Sequence, residues 1–368
     1  MISLGGSRSG ERESAMNILA WPGTGAKMPN PYTQLLYSHI ERLRDDIVVG
    51  EFTPTSLITP RSRWDVWHMH WPEDFLNSTR GIGLAVRLIG LVMLVAIAKL
   101  RGTRLVWTIH QLDSHDPRHP RLERIVKRLI VAGLDGAIAL TEGSAAQARE
   151  RFPALRNRPI AVVPHGHYMD VYPRDVSRRE ARRRLGLEDR HRVVLFIGAI
   201  KPYKNVPSLI RTFARVRGED LRLVVAGEPS SEALRAEVIS AAANDDRVQL
   251  HLNLVKDEDL QVFLGAADLV VLPFRGIMNS GSVFLALSFG RPVLVPDKGA
   301  MRELRSILGP AFISIYDGEI EPASIERALN SLPDRQAERD LAETLRRTCG
   351  WSEIAERTLA FYESLVRA

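Results

Sequence analysis

A segment with the residue types of an anion-binding site lies at 271–296 (VLPFRGIMNSGSVFLALSFGRPVLVP). Its pattern predicts an apolar strand, a polar loop that contains glycine, and a helix that begins near Ser282. The N-terminus of this helix would consist of Asn279, Ser280, Gly281 and Ser282. Free backbone N–H groups and the positive end of the helix dipole bind anions there, and a glycine lets a phosphate approach closely. Asn and Ser also cap helices that bind no ligand, so the motif alone leaves an ordinary N-cap open.

A second candidate for phosphate chemistry is the segment 196–210 (FIGAIKPYKNVPSLI). The pattern predicts a strand that ends before Gly198, a turn, and a helix that begins beside Lys204. A lysine at the mouth of such a strand–loop–helix unit is well placed to neutralise a diphosphate. The alternative is an ordinary surface lysine.

Acid–base chemistry is predicted in the first half of the chain. His110 and Asp113 follow an apolar run in LVWTIHQLDSHD (105–116), and Glu73 lies in the loop HMHWPEDF (68–75). Strand ends of this kind carry general bases or groups that orient a substrate. Asp113, Glu73 and His110 are therefore candidates for a general base or for groups that orient a substrate. Four residues of neighbouring loops are predicted to orient the acceptor: Lys27, Asn30, Tyr32 and Trp71.

Composition restricts the classes of protein and of cofactor. The chain has 368 residues, 45% of them hydrophobic and 26% charged, which indicates a globular protein of two domains. With one cysteine, a disulfide within the chain and a multi-cysteine zinc site are excluded. His68 and His70 are two residues apart on a predicted strand, but no convincing third ligand accompanies them, so no metal and no cofactor is expected.

Positive charge indicates anionic partners. The formal net charge is +6, which favours phosphorylated substrates, phospholipid or nucleic acid. The basic clusters lack interleaved aromatic residues, so we expect no nucleic acid. The apolar segment 81–100 has a longest uncharged run of only eleven residues, Leu88 to Ala98, too short to span a bilayer. It is either a core helix or an interfacial helix, and the basic stretch 99–128 beside it favours a peripheral position on an anionic membrane surface.

Short β-rich runs alternate with helical stretches through most of the chain, which predicts parallel sheets covered on both faces. Two such series predict an α/β fold of two doubly wound, Rossmann-like domains that face a cleft. The predicted strands are 17–21, 66–70, 104–109, 136–140 and 160–163, then 193–197, 222–226, 248–252, 269–272 and 292–295. The predicted divisions are a disordered extension 1–15, a first domain 16–175, a second domain 176–345, and a helix 346–368 that packs back towards the first domain; the resemblance described next implies that the first domain binds the acceptor and the second the donor.

The second half resembles the donor-binding domain of GT-B glycosyltransferases that use nucleotide-diphosphate sugars. The matching segments occur in the family's order over about 180–300, namely RRRLGL, VVLFIGAIKPYKNVPSLI, LRLVVAGEP, LVKDEDLQVFLGAADLVVLPF and NSGSVFLALSFGRPVLVP, with PHGHY at the hinge position. The NSGS loop is similar to that of bacterial exopolysaccharide glycosyltransferases, including β-mannosyltransferases of xanthan-type assembly. The first half resembles the acceptor domain more loosely, through His110.

The resemblance also implies site residues. Lys204 matches the family's diphosphate-binding lysine, Gly198 matches the loop glycine beside the donor, and Glu303 fits a late acidic position. The family's arginine after the strand glycine is Ala199 here, so Lys201 or Arg275 is expected to supply the second positive charge. The family's pair of glutamates falls on Ile277 and Leu285, which removes a ribose-holding carboxylate.

The expected function is that of a hexosyltransferase without a required metal. If the reaction inverts, Asp113 or Glu73 is expected to deprotonate the acceptor hydroxyl, and His110 is expected to bind the donor sugar or a phosphate. It would move a sugar from a nucleotide-diphosphate donor, with GDP-mannose implied by the resemblance, to a lipid-linked oligosaccharide in polysaccharide assembly. The expected location is the cytoplasmic face of the cell membrane. Two alternatives stay open: a catalytically silent GT-B scaffold and a sugar-nucleotide epimerase.

Overall fold

The computed structural model describes residues 15–23, 30–59, 63–72, 82–113 and 120–368. Most of the predicted extension 1–15 lies outside this part, as do the predicted site residues Lys27 and Glu73.

The described residues form two six-stranded sheets, each parallel throughout. The strands of the first sheet are β1 (Met16–Trp21), β2 (Ile47–Glu51), β3 (Val66–Met69), β4 (Arg104–Ile109), β5 (Gly136–Ala139) and β6 (Ile160–Val162). Those of the second are β7 (Arg192–Ile197), β8 (Leu221–Ala226), β9 (Val248–His251), β10 (Leu269–Val271), β11 (Val293–Pro296) and β12 (Ile313–Tyr316). The strand orders are β2-β1-β3-β4-β5-β6 and β12-β11-β10-β7-β8-β9. The order reverses within each sheet, which is the doubly wound arrangement.

Helices follow most strands and cover the sheets. They are α1 (Tyr32–Glu41), α2 (Pro54–Ile58), α3 (Ile82–Leu100), α4 (Pro120–Gly133), α5 (Glu142–Arg151), α6 (Arg178–Arg184), α7 (Val206–Phe213), α8 (Glu232–Ala242), α9 (Leu260–Ala266), α10 (Gly281–Ser288), α11 (Met301–Leu308), α12 (Pro322–Asn330), α13 (Arg335–Thr348) and α14 (Trp351–Arg367). The central strands β3, β5 and β10 are buried along their whole length, because helices pack on both faces of the sheet. The predicted fold class, two doubly wound α/β domains, is confirmed.

The last helix, α14, returns to the first sheet and packs against α1. Its first residue, Trp351, donates a hydrogen bond from Nε1 to the carbonyl oxygen of His167 (2.7 Å). The indole lies so close to Gly166 that a Cβ there would be 2.3 Å from the ring. The segment that joins the two sheets is therefore clamped by α14.

The carboxyl ends of the two sheets face each other. Asn279, which follows β10, donates hydrogen bonds from its side-chain amide to the carbonyl oxygens of Ile109 (3.4 Å) and His110 (3.3 Å), at the end of β4. Ligands of parallel α/β sheets bind outside the carboxyl ends of the strands. The space between these two edges is therefore the place to look for a functional site.

Candidate functional site

A cavity lies between the two sheet edges, and residues of both halves line it. Its lining residues are Asn30, Trp71, His110, Gln111, His165, Tyr203, Lys204, Phe274, Gly276, Ile277, Asn279, Ser280, Gly281 and Ser282. Eight of these fourteen are predicted site residues, and they come from both the predicted donor and the predicted acceptor sets. Residues separated by about 250 positions in the chain, such as Asn30 and Ser282, thus share one cavity.

Lys204 is the charged residue among those lining the cavity. It ends a single turn of 3-10 helix, Pro202–Lys204, and is only 8% exposed. Its Nζ lies 5.9 Å and 5.6 Å from the ring centroids of Phe196 and Phe274, and no described acidic side chain forms an ion pair with it. Burial, with a smaller contribution from the nearby charge of Lys201, lowers the pKa of Lys204 to about 8. A buried ammonium without an anion is costly, which points to an anionic ligand.

Gly198 leaves the room that Lys204 occupies. It directly follows β7 with φ of +118°, a conformation that favours glycine. A Cβ at this position would lie 3.2 Å from Nζ of Lys204 and 3.9 Å from Oγ of Ser282. Gly198 thus lets the ammonium group approach the N-terminus of α10.

The N-terminus of α10 forms the wall of the cavity beside Lys204. Ser280 is the N-cap residue, and its Oγ accepts a hydrogen bond from the backbone N–H of Val283 (3.4 Å). The first N–H groups of a helix, here those of Gly281 and Ser282, have no acceptor within the helix. The helix thus has an ordinary N-cap and also the geometry of an anion-binding site. Ser280 accepts from the N–H group of Val283, and the N–H groups of Gly281 and Ser282 remain available at the cavity wall.

Aromatic packing fixes His110 on the opposite wall. Trp71 stacks on its imidazole, with ring centroids 4.5 Å apart and an angle of 18° between the planes. Tyr32 packs edge-on against the same ring at 4.9 Å. Tyr32 is buried and does not line the cavity, so the structure places it behind His110 rather than in contact with an acceptor.

Burial favours the uncharged form of four histidines of the first domain, His68, His70, His110 and His165. Burial lowers the pKa of His68 to about 3 and that of His165 to about 4, and it lowers the pKa of His70 and His110 well below the usual 6.5. Both ring nitrogens of His68 and of His70 form hydrogen bonds with protein side chains. The described residues contain no group of three or more side chains placed to hold a metal ion.

Glu303 lies outside the cavity and joins the two domains. Its carboxylate accepts hydrogen bonds from the backbone N–H groups of Glu142 and Gly143, both at 3.0 Å. These groups form the N-terminus of α5, where negative charge is stabilising. The structure therefore places this predicted donor-binding residue in a contact between domains.

Three other predicted site residues do not line the cavity. Asp113 is exposed and forms an ion pair with Arg151 (3.1 Å). Lys201 is exposed and acts on the cavity through its charge, since it contributes to the lowered pKa of Lys204. Arg275 is exposed. Its described contacts are made by its backbone, for example the hydrogen bond from its N–H group to the carbonyl oxygen of Tyr203.

Several lining residues were not predicted. His165 stacks on Phe284 of α10 with ring centroids 4.6 Å apart, so the hinge histidine belongs to the cavity wall. His165 follows an apolar run in VVPHGHY, much as His110 follows one in LVWTIHQLD. This similarity is the feature of the sequence that could have indicated a place for His165 in the site. Tyr203 and Phe274 line the cavity beside Lys204, with ring centroids 5.9 Å apart, and no spacing in the sequence indicates that contact.

Comparison with known proteins agrees with this geometry. Residues 191–313 match the model of the family described as glycosyl transferases group 1. The chain is 30% identical over 303 residues to a GDP-mannose:glycolipid 4-beta-D-mannosyltransferase of Xanthomonas campestris pv. campestris, covering 82% of this chain and 80% of that protein. It is 31% identical over 300 residues to a D-inositol 3-phosphate glycosyltransferase of Salinispora arenicola, covering 74% of this chain and 66% of that protein.

Solved structures share the fold at low sequence identity. The sucrose-phosphate synthase of Thermosynechococcus elongatus superposes with a TM-score of 0.70 at 14% identity, covering 95% of this chain and 99% of that one. The HepE protein of Anabaena, solved in complex with UDP and glucose, superposes with a TM-score of 0.67 at 18% identity, covering 95% and 100%. The chain belongs to the group 1 glycosyltransferases of the GT-B fold.

Proposed function

We propose that this glycosyltransferase moves mannose from GDP-mannose to a lipid-linked saccharide at an anionic membrane surface, in polysaccharide assembly. The observation that carries the donor class is Lys204, a buried ammonium that pairs with no acidic side chain in the described part of the chain and lies beside the first N–H groups of α10. A diphosphate supplies the negative charge that both features lack, and its developing charge on departure would be stabilised by the same groups. No metal is part of this proposal.

The choice of mannose and of a glycolipid acceptor rests on the Xanthomonas relative, whose name gives both. The Salinispora relative, a D-inositol 3-phosphate glycosyltransferase, favours a different acceptor within the same reaction class. The two sources agree on sugar transfer and differ on what receives the sugar, so donor and acceptor need separate tests.

The donor is tested by thermal shift and calorimetry with GDP, UDP, ADP and their sugars. A ligand at 100 times its dissociation constant stabilises the folded state by about 2.7 kcal/mol. We expect the largest shift with GDP-mannose and a loss of that shift in Lys204→Met. Binding to another nucleotide would reassign the donor, and no binding to any would favour the silent scaffold. Conversion of the donor without an acceptor would favour the epimerase.

The membrane part of the proposal rests on an apolar face formed by α3 and α4, here called the α3–α4 face. Its exposed apolar residues are Val86, Ile89, Val92, Met93, Leu100, Ile125 and Leu129. These are seven of the twelve large hydrophobic residues that are exposed in the described part of the chain. Val92 of α3 and Leu129 of α4 line one apolar groove between the two helices, and exposed apolar residues gathered on neighbouring helices favour an interaction site.

The charge of the α3–α4 face suits an anionic lipid surface. Arg121, Arg124 and Arg128 are exposed on α4, whereas Lys99 of α3 is exposed but pairs with Asp135 (2.5 Å). The acidic residue of α4, Glu123, is buried and pairs with Lys127 (3.2 Å), so it does not offset them at the surface. Each basic residue near anionic lipid contributes about 1 kcal/mol. None of the described helices is long and apolar enough to cross a bilayer.

Liposome flotation tests the membrane contact. We expect binding to vesicles that contain anionic lipid, weaker binding at high salt, and loss of binding in the pair Ile89→Glu and Met93→Glu. Ile239→Glu is the matched control, because Ile239 is equally apolar and 49% exposed but lies on α8 of the second domain. Equal binding of all variants, or none at low salt, would refute the membrane contact.

For an inverting reaction, the base that deprotonates the acceptor is proposed to be Glu73 rather than Asp113. Asp113 is held by Arg151 and does not line the cavity, which leaves Glu73 of the two carboxylates that the sequence indicates. We expect Glu73→Gln to lower kcat by at least about a hundredfold and to leave donor affinity unchanged. Asp113→Asn is the matched control. The reverse ranking of the two variants would overturn the assignment.

A further inference from the structure

We propose that one corner of the cavity binds a hydroxyl group of the donor sugar, with Nε2 of His165 as the acceptor and the side-chain amide of Asn30 as the donor. This corner, here called the Gly281 corner, consists of Asn30, His165 and Tyr168 around the first residue of α10. The inference deepens the proposed function and rests on it for the identity of the ligand, since it names the groups that would select the sugar.

Three polar side-chain atoms converge on Gly281. A Cβ at this position would lie 3.1 Å from Nδ2 of Asn30, 3.3 Å from the hydroxyl oxygen of Tyr168 and 3.6 Å from Nε2 of His165. Gly281 is helical and its φ is not positive, so its backbone does not require glycine. The missing side chain instead leaves open the space that the three atoms face. Asn30, His165 and Gly281 all line the cavity.

A backbone group places the proton of His165. Nδ1 lies 2.8 Å from the carbonyl oxygen of Gly166, and a carbonyl oxygen can only accept. Burial lowers the pKa of His165 to about 4, so the ring carries one proton, and that proton is on Nδ1. Nε2 therefore has a lone pair. The ring is held by Phe284, on which it stacks, and by Tyr32, with ring centroids 4.6 Å and 5.0 Å away.

The hydroxyl of Tyr168 does not fill this lone pair. Oδ1 of Asn30 accepts from the backbone N–H group of Tyr32 (3.0 Å), which can only donate, so this atom is the amide oxygen. The Tyr168 hydroxyl lies 2.7 Å from the same oxygen and therefore donates its proton to it. Burial raises the pKa of Tyr168, so the hydroxyl keeps that proton. Nε2 of His165, 3.5 Å from this hydroxyl, faces only its lone pairs.

The remaining hydrogen-bonding capacity of the corner matches a hydroxyl group. Nδ2 of Asn30 has two N–H bonds, and no residue in the described part of the chain accepts from it. A sugar hydroxyl can donate to Nε2 of His165 and accept from Nδ2 through one oxygen. A phosphate oxygen would instead meet the lone pairs of His165 and Tyr168. The corner therefore fits a neutral sugar and not the diphosphate.

The donor sugar is the source of this hydroxyl because Gly281 belongs to both parts of the site. Its N–H group is at the anion-binding end of α10, and its Cα faces the corner. A hexose is bonded directly to the diphosphate, so a diphosphate held by α10 brings the sugar beside the corner. A site that hydrogen-bonds a substrate hydroxyl rejects the analogue that lacks it, because buried polar groups are then left without a partner.

A thermodynamic cycle tests this contact. The probes are the nucleotide sugar that binds most tightly, GDP-mannose on the proposed function, and analogues that each lack one sugar hydroxyl. We expect one analogue to bind the wild-type protein at least about tenfold more weakly than the parent, and this difference to fall below about twofold in His165→Phe, which keeps the ring stack. His39→Phe is the matched control and should discriminate as the wild type does. Nδ1 of His39 also donates to a backbone carbonyl, that of Leu35 (2.8 Å), but the ring does not line the cavity.

Two further measurements keep the inference open to refutation if His165→Phe does not fold. Gly281→Ala places a Cβ in the corner and should lose the same discrimination. Histidine NMR on the free protein should show the Nδ1–H tautomer of His165. The inference is overturned by the Nε2–H tautomer, by equal binding of all the analogues to the wild type, or by wild-type discrimination in a folded variant of His165 or Gly281.

Failure of the proposed function gives a different result. If no nucleotide sugar binds, the proposed function fails, and free D-mannose at high concentration then tests the corner through the NMR signal of His165 Nε2. A shift of this signal that Gly281→Ala abolishes supports the corner, and the absence of a shift overturns it.

Discussion

Replacing Lys204 by methionine should make the empty protein more stable while it removes donor binding. The pKa of this lysine is lowered from 10.5 to about 8, mainly by burial. Each pKa unit corresponds to 1.36 kcal/mol, so holding the charge in the folded protein costs about 3 kcal/mol at pH 7. Methionine has a similar length and no charge, and it packs well among aromatic rings such as those of Phe196 and Phe274.

The gain in stability should depend on pH with a definite sign. Between about pH 8 and 10.5 the unfolded lysine keeps its proton while the folded one loses it, so the free energy of unfolding of the wild-type protein rises with pH in this window. The advantage of Lys204→Met, about 3 kcal/mol at pH 7, should therefore vanish near pH 10.5. Urea denaturation of both proteins at pH 7 and above pH 10 measures this difference.

Binding should move in the opposite direction. A charge-assisted contact to a phosphate contributes about 1.5–3 kcal/mol, so Lys204→Met should weaken nucleotide diphosphate binding ten- to a hundredfold. In the wild-type protein the affinity should fall about tenfold for each pH unit above 8, because the free lysine must then take up a proton. Lys201→Met, which changes an exposed neighbour, is the control and should keep most of the affinity. A Lys204→Met protein that is less stable at pH 7, or that binds nucleotide normally, would refute this reasoning.

Three further substitutions test the geometry around the cavity. Gly198→Ala should lower the free energy of unfolding by about 1–2 kcal/mol, because the φ of this residue is positive. It should also weaken nucleotide binding, because the new Cβ would lie 3.2 Å from Nζ of Lys204. Normal nucleotide binding in this variant would contradict the contact. Glu303→Gln should weaken the link between domains by about 1 kcal/mol and increase the radius of gyration measured by X-ray scattering, whereas an unchanged scattering curve would contradict the link. Gly166→Ala should lower the melting temperature strongly, because its Cβ would lie 2.3 Å from the ring of Trp351. An unchanged melting temperature would contradict this, since it would mean that the indole moves aside at no cost in stability.

The fold was predictable because the central strands are continuous apolar runs. The predicted strand 104–109 coincides with β4, and the other nine predicted strands differ from the observed ones by one residue at one or both ends. The edge strands β2 and β12 and the helices α2, α12 and α13 were not predicted. Both strands lie at sheet edges, but so do β6 and β9, which are half-exposed and were predicted, so edge position alone does not account for the two that were missed.

The site was predictable where local pattern decides it. Gly198 directly follows β7, Lys204 lies in the same loop, and α10 begins after the loop that follows β10, so the topology brings them together. The hydrogen bonds of Glu303 with the N-terminus of α5, and that of Tyr362 with His68, join residues more than 150 positions apart. Nothing in the local sequence indicates these contacts. Long-range pairings of polar groups become visible only once the sheets are placed.

The position of Lys204 has a consequence for turnover. On the proposed function, Lys204, the amides of α10 and Gly198 all contact the diphosphate of the ligand. The diphosphate is present both in the donor and in the nucleotide that is left after transfer. Little of this affinity is lost when the sugar departs. The spent nucleotide should then compete with fresh donor for the same buried cation. The rate in a cell would be governed as much by the enzymes that degrade or recycle free nucleoside diphosphate as by the supply of activated sugar.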